Sequence, residues 1–263
     1  GRGDLTQYNR LSTDRVEKLD KADRWVAATE PIHYDKPSAG AGLGMSFARL
    51  VADATGAEIG LVPCAVGGSA LNEWLPGARL YVEAMRRAKI AQKEGEIKAI
   101  LWHQGESDAD IGKLEASYNE RLAKMVAAMR AELGLDAKKA PFVYGAIGEF
   151  PVVQYYKGNK SLNAVMRKAV DAIPNARWIE AADLTSNSDG IHFDTRSLRI
   201  LGERYAKAYL ATRGAAYLRL RDAYGDRMVF QRDQPVVLAG EATPGAAVTA
   251  EMDGAKATAK ADA

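Results

Sequence analysis

Cysteine, histidine and long apolar runs are all scarce in this sequence, and each shortage excludes a class of protein. The single cysteine, Cys64, excludes an internal disulfide and a cysteine-rich zinc site. The three histidines, His33, His103 and His192, are not spaced as paired metal ligands, so we predict no metal site. No stretch approaches the roughly 18 apolar residues that cross a bilayer, so we predict no membrane span.

Neither sign of charge is in excess, which argues against nucleic acid or an anionic membrane as a partner. The 36 basic and 34 acidic residues give a formal net charge of +2, too small for such an electrostatic footprint. The glycine patterns of phosphate-binding and dinucleotide-binding loops are also missing. Hydrophobic residues make up 47% of the chain, as in ordinary globular proteins.

From residue 44 to residue 213 the sequence alternates between helix-like and strand-like segments, after an irregular stretch at residues 1–35. Helices are predicted at 44–55, 78–94, 161–173 and 195–213, and strands at 57–66, 97–104, 140–148 and 176–184. Another helix is predicted by apolar residues spaced three or four apart: Leu114, Tyr118, Leu122, Met125, Met129 and Leu133. This alternation predicts an α/β fold with a parallel sheet covered on both faces.

After about residue 214 the pattern changes to short alternating runs separated by Gly, Pro and Asp. Such runs are typical of antiparallel strands. We therefore predict two domains, an α/β domain at residues 1–213 and the start of a small β-rich domain at residues 214–263, both incomplete.

Polar or glycine-rich loops follow three of the predicted strands. They contain Gly67 and Gly68, then residues 103–106, then Asp189 and His192. In parallel α/β sheets, ligand sites lie at the carboxyl ends of the strands. Three such loops predict a functional site at this edge of the sheet.

The segment "SNSDGIHFDT" places Asp189 three residues before His192. A histidine that acts as a general base needs its second ring nitrogen held by an acceptor, usually a carboxylate. Two intervening residues on a loop allow both side chains to face the same way. Taken alone, the motif is more often a structural loop at the start of a helix, so it requires support from the other loops.

The segment "LWHQGESDAD" ends a strand with an amide and a carboxylate. Gln104 is a candidate hydrogen-bond donor to an oxyanion, and Glu106 is a candidate ligand of a substrate hydroxyl or a support for the loop. Solvated turn residues explain the pattern equally well. Strand alternation points His103 away from Gln104, so we interpret His103 as structural.

The segment "CAVGGSALNEW" follows a buried strand with paired glycines, whose backbone N–H groups can approach a ligand closely. Ser69 is a possible nucleophile, but the esterase elbow G-x-S-x-G needs glycine at position 71, where Leu71 stands. Ser69 is therefore interpreted as a cap for the following segment.

Five ordered blocks together resemble the SGNH-hydrolase superfamily, and within it the carbohydrate acetylesterases that include acetylxylan and sialic-acid-specific enzymes. The blocks are "GRG", "RWVAATEPIHYD" with "GAGLGMSFA", "VGGSALNEW", "WHQGESDA" and "DGIHF", and they span residues 1–212. The resemblance implies a three-layer flavodoxin-like fold and hydrolysis of acetyl esters on sugars. It assigns His192 as the base and Asp189 as the acid that orients it.

The same resemblance assigns the oxyanion hole to the backbone N–H of Gly68 or Gly67 and to the side chain of Gln104. It implies no metal and no organic cofactor, and an acetylated carbohydrate as the partner. The family's serine lies in a block similar to "GQSNMAGRG", whose last three letters match residues 1–3. We therefore expect the nucleophile, and the first strand of the sheet, upstream of Gly1 in a longer protein that is secreted or periplasmic.

Two alternatives remain from the sequence. One is a non-catalytic carbohydrate-binding relative, in which the glycine loops, Trp74 and Glu106 hold sugar. The other, a phospholipid or thioester hydrolase of the same superfamily, shares the D-x-x-H block and lacks the "QGE" and "EPIH" blocks. The tail from "YGDRMVFQRDQPVV" onward resembles the β-rich opening of sialate O-acetylesterase-like proteins, and it suggests a second module in the longer protein.

Overall fold

The computed structural model describes residues 1–5, 14–109, 115–150, 158–221, 224 and 228–262. The strands in these ranges are β1 Val16–Leu19, β2 Trp25–Ala27, β3 Ile59–Leu61, β4 Ile100–Trp102, β5 Phe142–Gly145, β6 Ala176–Ile179, β7 Leu218–Leu220, β8 Gly240–Ala242, β9 Ala247–Met252 and β10 Ala255–Lys260. The α-helices are α1 Leu43–Thr55, α2 Arg79–Ala91, α3 Glu106–Ala109, α4 Tyr118–Leu133, α5 Asn159–Met166 and α6 Thr195–Thr212. Short 3-10 helices cover Leu71–Trp74 and Arg167–Asp171.

The strands between β1 and β6 pair mostly in parallel. β5 lies between β4 and β6, with Ile100 opposite Phe142 and Tyr144 opposite Trp178. β1 pairs in parallel with β3 and antiparallel with β2. The predicted parallel arrangement is therefore confirmed, in two groups ordered β2-β1-β3 and β4-β5-β6.

Helices cover both faces of these strands, as the residues of β5 illustrate. Phe142 and Tyr144 pack into a core shared with α2, α4 and α5, whereas Val143 packs into a second core shared with α1 and α6. Because side chains alternate across a strand, one buried strand contributes side chains to both cores. The chain thus forms the three-layer α/β arrangement that its alternating segments predict.

Local signals in the sequence set several helix ends. Gly56 and Gly134 follow α1 and α4 in the left-handed conformation, with φ of 69° and 63°. Glycine adopts this conformation without the steric cost of a Cβ atom. At the start of α6, the Asp194 side chain accepts a hydrogen bond from the Ser197 N–H, which caps the helix directly after the "DGIHF" block.

The structure corrects two of the predictions. Residues 1–35 are not wholly irregular, because β1 and β2 form a hairpin within them. These strands are short, and Glu17 and Lys18 interrupt their apolar pattern, so a period-two signal is hard to detect. The predicted helix at 161–173 begins earlier and ends at Met166, continuing as a 3-10 turn. Leu114 lies outside the described residues.

Antiparallel pairing is present after residue 214, as the turn-rich pattern predicts. β7 pairs with β8, and β9 pairs with β10 across a turn at Asp253 and Gly254. Arg219 forms an ion pair of 3.0 Å with Glu203 of α6, which links this region to the α/β layers. The division into two domains at residue 213 stays a prediction.

Within the described ranges, every helix is too short or too polar to cross a bilayer.

Candidate active site

Asp189 and His192 form a hydrogen-bonded pair on the loop before α6. Asp189 Oδ2 lies 2.7 Å from His192 Nδ1, and both side chains are nearly half exposed. His192 Nε2 makes no hydrogen bond with any described residue, serine hydroxyls included. An imidazole held through Nδ1, with Nε2 open, has the arrangement that a general base requires.

The loop itself fixes this geometry through backbone contacts. Asp189 Oδ1 accepts the N–H groups of Ile191 and His192, at 2.7 and 2.9 Å. Gly190 has a φ of 69°, which lets the chain turn between the two side chains. The Asn187 N–H donates to the His192 carbonyl at 2.8 Å and closes the loop. The histidine is thus positioned by its own segment, before any contact from elsewhere.

The same contacts lower the pKa of Asp189 to about 2. Partial burial acts in the opposite direction and raises the pKa. It is outweighed by the hydrogen bonds from the backbone and side chain of His192 and from the Ile191 N–H. Hydrogen bonds to the charged form of a carboxyl favour that form. Asp189 is therefore an anion at any pH well above 2.

The paired glycines form an exposed turn, with Gly68 at a φ of 81°. The Gly67 N–H donates to Asp35 Oδ2 at 2.8 Å. The Gly68 N–H donates to no described residue. Gly68 therefore keeps a free donor for an oxyanion, whereas the predicted use of Gly67 does not fit this geometry, because its N–H is already engaged.

Gln104 is buried, and its side chain is fully engaged within the protein. Its Nε2 donates to the Ser69 carbonyl at 3.0 Å and to Asp108 Oδ2 at 2.8 Å. Its Oε1 accepts from the Tyr118 hydroxyl at 2.9 Å. The prediction that Gln104 donates to the oxyanion does not fit this geometry, because neither amide hydrogen is free. Gln104 instead connects its own strand end to the glycine turn.

Asp108 is the centre of this buried network, and it has no exposed surface. Its Oδ2 accepts the Leu71 N–H at 2.8 Å, and its Oδ1 lies 3.0 Å from Arg121 Nη2. Asp108 was not predicted from the sequence. It stands four residues after Gln104, and this spacing brings two side chains together where the chain continues as a helix. Asp108 holds the segment after the glycine turn against α3.

Trp74 and Ser69 are also part of the support. Trp74 is buried, stacks edge-on against Trp102 with 5.4 Å between ring centroids, and donates its Nε1–H to Ser69 Oγ at 2.9 Å. Ser69 Oγ donates to the Val66 carbonyl at 2.7 Å. Trp74 thus has no ring face open to a sugar, and a substrate-holding role does not fit it. Ser69 closes the glycine turn, and Ala70 occupies the cap position instead.

Glu106 is the first residue of α3 and is partly buried, and its side chain makes no hydrogen bond with the described residues. His103 lies nearby, with Nδ1 3.2 Å from the Tyr205 hydroxyl, whose own hydrogen is donated to the Trp102 carbonyl. Nδ1 is therefore the donor. Burial lowers the pKa of His103, and the Glu106 carboxylate opposes this shift.

Contacts between loops bring the predicted elements to one edge of the sheet. The Ser107 hydroxyl donates to the Gly68 carbonyl at 3.1 Å, which ties α3 to the glycine turn. The His103 ring packs edge-on against Phe193, the neighbour of His192, with 5.7 Å between centroids. The first residues of the chain cross the same region, because the Thr195 hydroxyl donates to the Asp4 carbonyl at 3.3 Å.

Two basic side chains stand beside the glycine turn and were not identified from the sequence. A Cβ atom at Gly67 would lie 3.2 Å from Arg2 Nη2, and a Cβ atom at Gly68 would lie 3.7 Å from Lys36 Nζ. The Asp35 carboxylate lies 3.3 Å from the same Cβ position at Gly67, so the three groups leave one net positive charge at the turn, which favours an anion. In the described ranges, no three acidic, histidine or cysteine side chains are grouped as a metal would need.

Comparisons with known proteins find related sequences. A family model described as "Carbohydrate esterase, sialic acid-specific acetylesterase" matches residues 1–211. The chain is 36% identical over 197 residues to the probable carbohydrate esterase At4g34215 of Arabidopsis thaliana, covering 72% of each protein.

Solved structures show the same fold. The structure of the Arabidopsis thaliana protein AT4G34215 aligns with a TM-score of 0.69 at 32% identity, over 79% of this chain and 85% of that one. NanS aligns at 0.63 and 15% identity, over 80% and 92%. XAC1771, a carbohydrate acetylesterase from Xanthomonas citri, aligns at 0.60 and 21%, over 98% and 68%. The predicted SGNH-type fold is confirmed.

Proposed function

Because the chain belongs to the carbohydrate esterase, sialic acid-specific acetylesterase family, we propose that it removes O-acetyl groups from carbohydrates by a Ser–His–Asp mechanism. The Asp189–His192 pair is the observation that carries the proposal, because it holds Nδ1 and leaves Nε2 open. The Gly68 N–H, which has no partner among the described residues, supplies a donor for the oxyanion. The nucleophile is assigned to the serine that the family resemblance places four residues before Gly1.

In this mechanism, His192 Nε2 accepts the serine proton while the serine oxygen attacks the acetyl carbonyl carbon. The carbonyl electron pair moves onto oxygen, and the Gly68 N–H donates to this oxyanion. When the carbonyl re-forms, the bond to the sugar oxygen breaks, and that oxygen takes the proton from Nε2. Water then repeats the sequence on the acyl-enzyme and releases acetate.

Asp189 and the buried network have separate tasks. Asp189 holds the Nδ1–H tautomer and stabilises the imidazolium that forms when Nε2 is protonated. Gln104 and Asp108 hold the glycine turn in place through Ser69 and Leu71. Lys36 and Arg2 add positive charge near the oxyanion. The proposal therefore gives each half of the site a different role.

The test is hydrolysis of 4-nitrophenyl acetate and of acetylated sugars by the full-length protein that contains this chain. We expect His192→Ala to lower kcat by about 10⁴- to 10⁶-fold, with little loss of thermal stability, because the imidazole is nearly half exposed. Asp183→Asn, which removes an exposed carboxylate paired with Arg204, is the control and should keep full activity.

Labelling with a fluorophosphonate probe, followed by peptide mapping, locates the nucleophile. We expect the label on the serine upstream of Gly1. A label on Ser69 would contradict that assignment. An active His192→Ala variant would overturn the mechanism, and an unlabelled, inactive wild-type protein would favour the carbohydrate-binding alternative.

A further inference from the structure

A cavity of about 280 Å³ lies next to the glycine turn and has no role in the mechanism above. Its walls come from the hairpin turn between β1 and β2, the "HYD" segment, the loop before the glycine turn and α2. The lining residues that matter here are Lys21, His33, Asp35, Ala65, Glu83 and Arg87. This volume lies near the lower limit of small-molecule sites, about 300 Å³, and suits one sugar ring better than a chain.

The cavity is connected to the glycine turn in two ways. Ala65 and Val66 form part of its wall, and the next two residues along the chain are Gly67 and Gly68. Asp35, on the opposite wall, accepts the Gly67 N–H at 2.8 Å. A molecule held in the cavity therefore lies beside the turn that carries the candidate oxyanion donor.

His33 gives the cavity a group that can recognise a hydroxyl. Its ring nitrogens make no hydrogen bond with any described residue, although the side chain is mostly buried. Burial lowers the pKa of His33 to about 4. A neutral imidazole offers one donor and one acceptor, and a sugar hydroxyl both donates and accepts.

The rest of the wall is rigid and balanced in charge. Arg87 is buried and donates to the carbonyls of Leu19 and Pro63 and to Asp23 Oδ1, at 2.8, 3.2 and 2.7 Å. Its charge is thus compensated within the protein. Glu83 is paired with Arg86 in the same way. Lys21 and Asp35 contribute one charge of each sign, so the cavity favours a neutral ligand over an ion.

We propose that this cavity is a subsite for the neutral, hydroxyl-bearing sugar ring that carries the acetyl group, with His33 as its specificity-determining residue. The inference builds on the proposed function, since that sugar is the leaving group of the esterase reaction. It places the ring beside the glycine turn and the acetyl carbonyl at Gly68.

Binding of a deacetylated sugar tests the subsite independently of catalysis. The full-length protein is titrated with methyl β-xyloside, a neutral ring, and with N-acetylneuraminic acid, an anionic one, with the dissociation constants followed by NMR. His33→Leu should weaken binding of the xyloside about tenfold, as expected for one lost hydrogen bond. Ala65→Trp should abolish binding by filling the cavity. Ala57→Trp, at an exposed site outside the cavity, should bind as the wild type does.

Kinetics provide the second readout. His33→Leu should raise KM for an acetylated methyl xyloside about tenfold and leave hydrolysis of ethyl acetate unchanged, because ethanol has no ring. Unchanged xyloside binding in both His33→Leu and Ala65→Trp, or a wild type that prefers the anionic sugar, would overturn the subsite. A wild type that binds the xyloside in this pattern but cleaves no ester would support the subsite and refute the proposed function.

Discussion

The two halves of the candidate site are built in opposite ways. Around Gln104 and Asp108 the polar atoms are buried, and the amide and carboxylate are committed to partners inside the protein. Around His192 and Asp189 the side chains are nearly half exposed, and Nε2 has no partner among the described residues. The glycine turn is tied to the buried half through Ser69 and Ser107.

The two halves have different tasks: the buried half positions the glycine turn, and the exposed half supplies the reacting group. A buried polar group without its partner is costly, so the buried half tolerates only one arrangement and keeps the glycine turn in place. A general base must instead keep one ring nitrogen available and the other fixed. His192 meets both requirements, because the short loop from Asp189 holds its Nδ1 and leaves its Nε2 open. Substitutions in the two halves should therefore affect different measurements.

The largest expected effect is in the exposed half. Asp189→Asn should lower kcat for an acetyl ester about 10⁴-fold, because the amide N–H₂ repels the Nδ1–H tautomer that catalysis needs. Thermal stability at neutral pH should fall only slightly, because both side chains are nearly half exposed. Steady-state kinetics of the full-length variant, beside a thermal melt, provide the measurement. Activity within tenfold of the wild type would show that Asp189 does not orient His192.

The next largest effect is expected for a substitution in the buried half, and it should lower stability instead of turnover. Asp108→Ala should reduce the free energy of unfolding by about 3–5 kcal/mol, because it leaves Arg121 and the Gln104 amide without their buried partner. Chemical denaturation measures the change. Asp53→Ala is the matched control: Asp53 also pairs with an arginine, at 2.8 Å, but is 52% exposed, so its loss should cost about 0–1 kcal/mol. Equal costs would contradict the comparison.

A smaller effect isolates one hydrogen bond of the buried half. Trp74→Phe removes the Nε1–H that holds Ser69 and also removes ring volume. Trp25→Phe removes a similar volume, but the Trp25 Nε1 has no partner among the described residues. The difference in unfolding free energy between these variants should be about 1 kcal/mol, with Trp74→Phe the less stable. No difference would mean that the bond to Ser69 contributes nothing to the turn.

The exposed half was the more predictable from sequence, and the reason is physical. Asp189, Gly190 and His192 act within one short loop, so their spacing and the capped helix after them predict the pair. The same holds for the helix ends at Gly56 and Gly134, where a local conformation requires glycine. A feature that a short segment fixes by itself can therefore be predicted from the sequence of that segment.

The buried half required the tertiary structure. Nothing local indicates that Gln104 will give both amide hydrogens to Ser69 and Asp108, so it looked available to an oxyanion. Trp74 looked available to a sugar for the same reason. The hairpin of β1 and β2 escaped detection because short strands with charged residues carry a weak pattern. His33 was not predicted as a binding residue, because only the fold shows that its ring has no hydrogen-bond partner among the described residues.

The smallest expected effect is on stability at low pH, and it depends on Asp189 of the exposed half. The pKa of Asp189 is lowered to about 2 in the folded protein, from an ordinary value near 3.8. A carboxyl with a lowered pKa stabilises the fold fully above its unfolded value and loses that contribution as the pH falls through the folded value. The stability difference between wild type and Asp189→Asn should therefore be constant above about pH 4 and disappear toward pH 2. Thermal melts across that window measure it, and a difference that grows on acidification would show that Asp189 does not keep its charge through these hydrogen bonds.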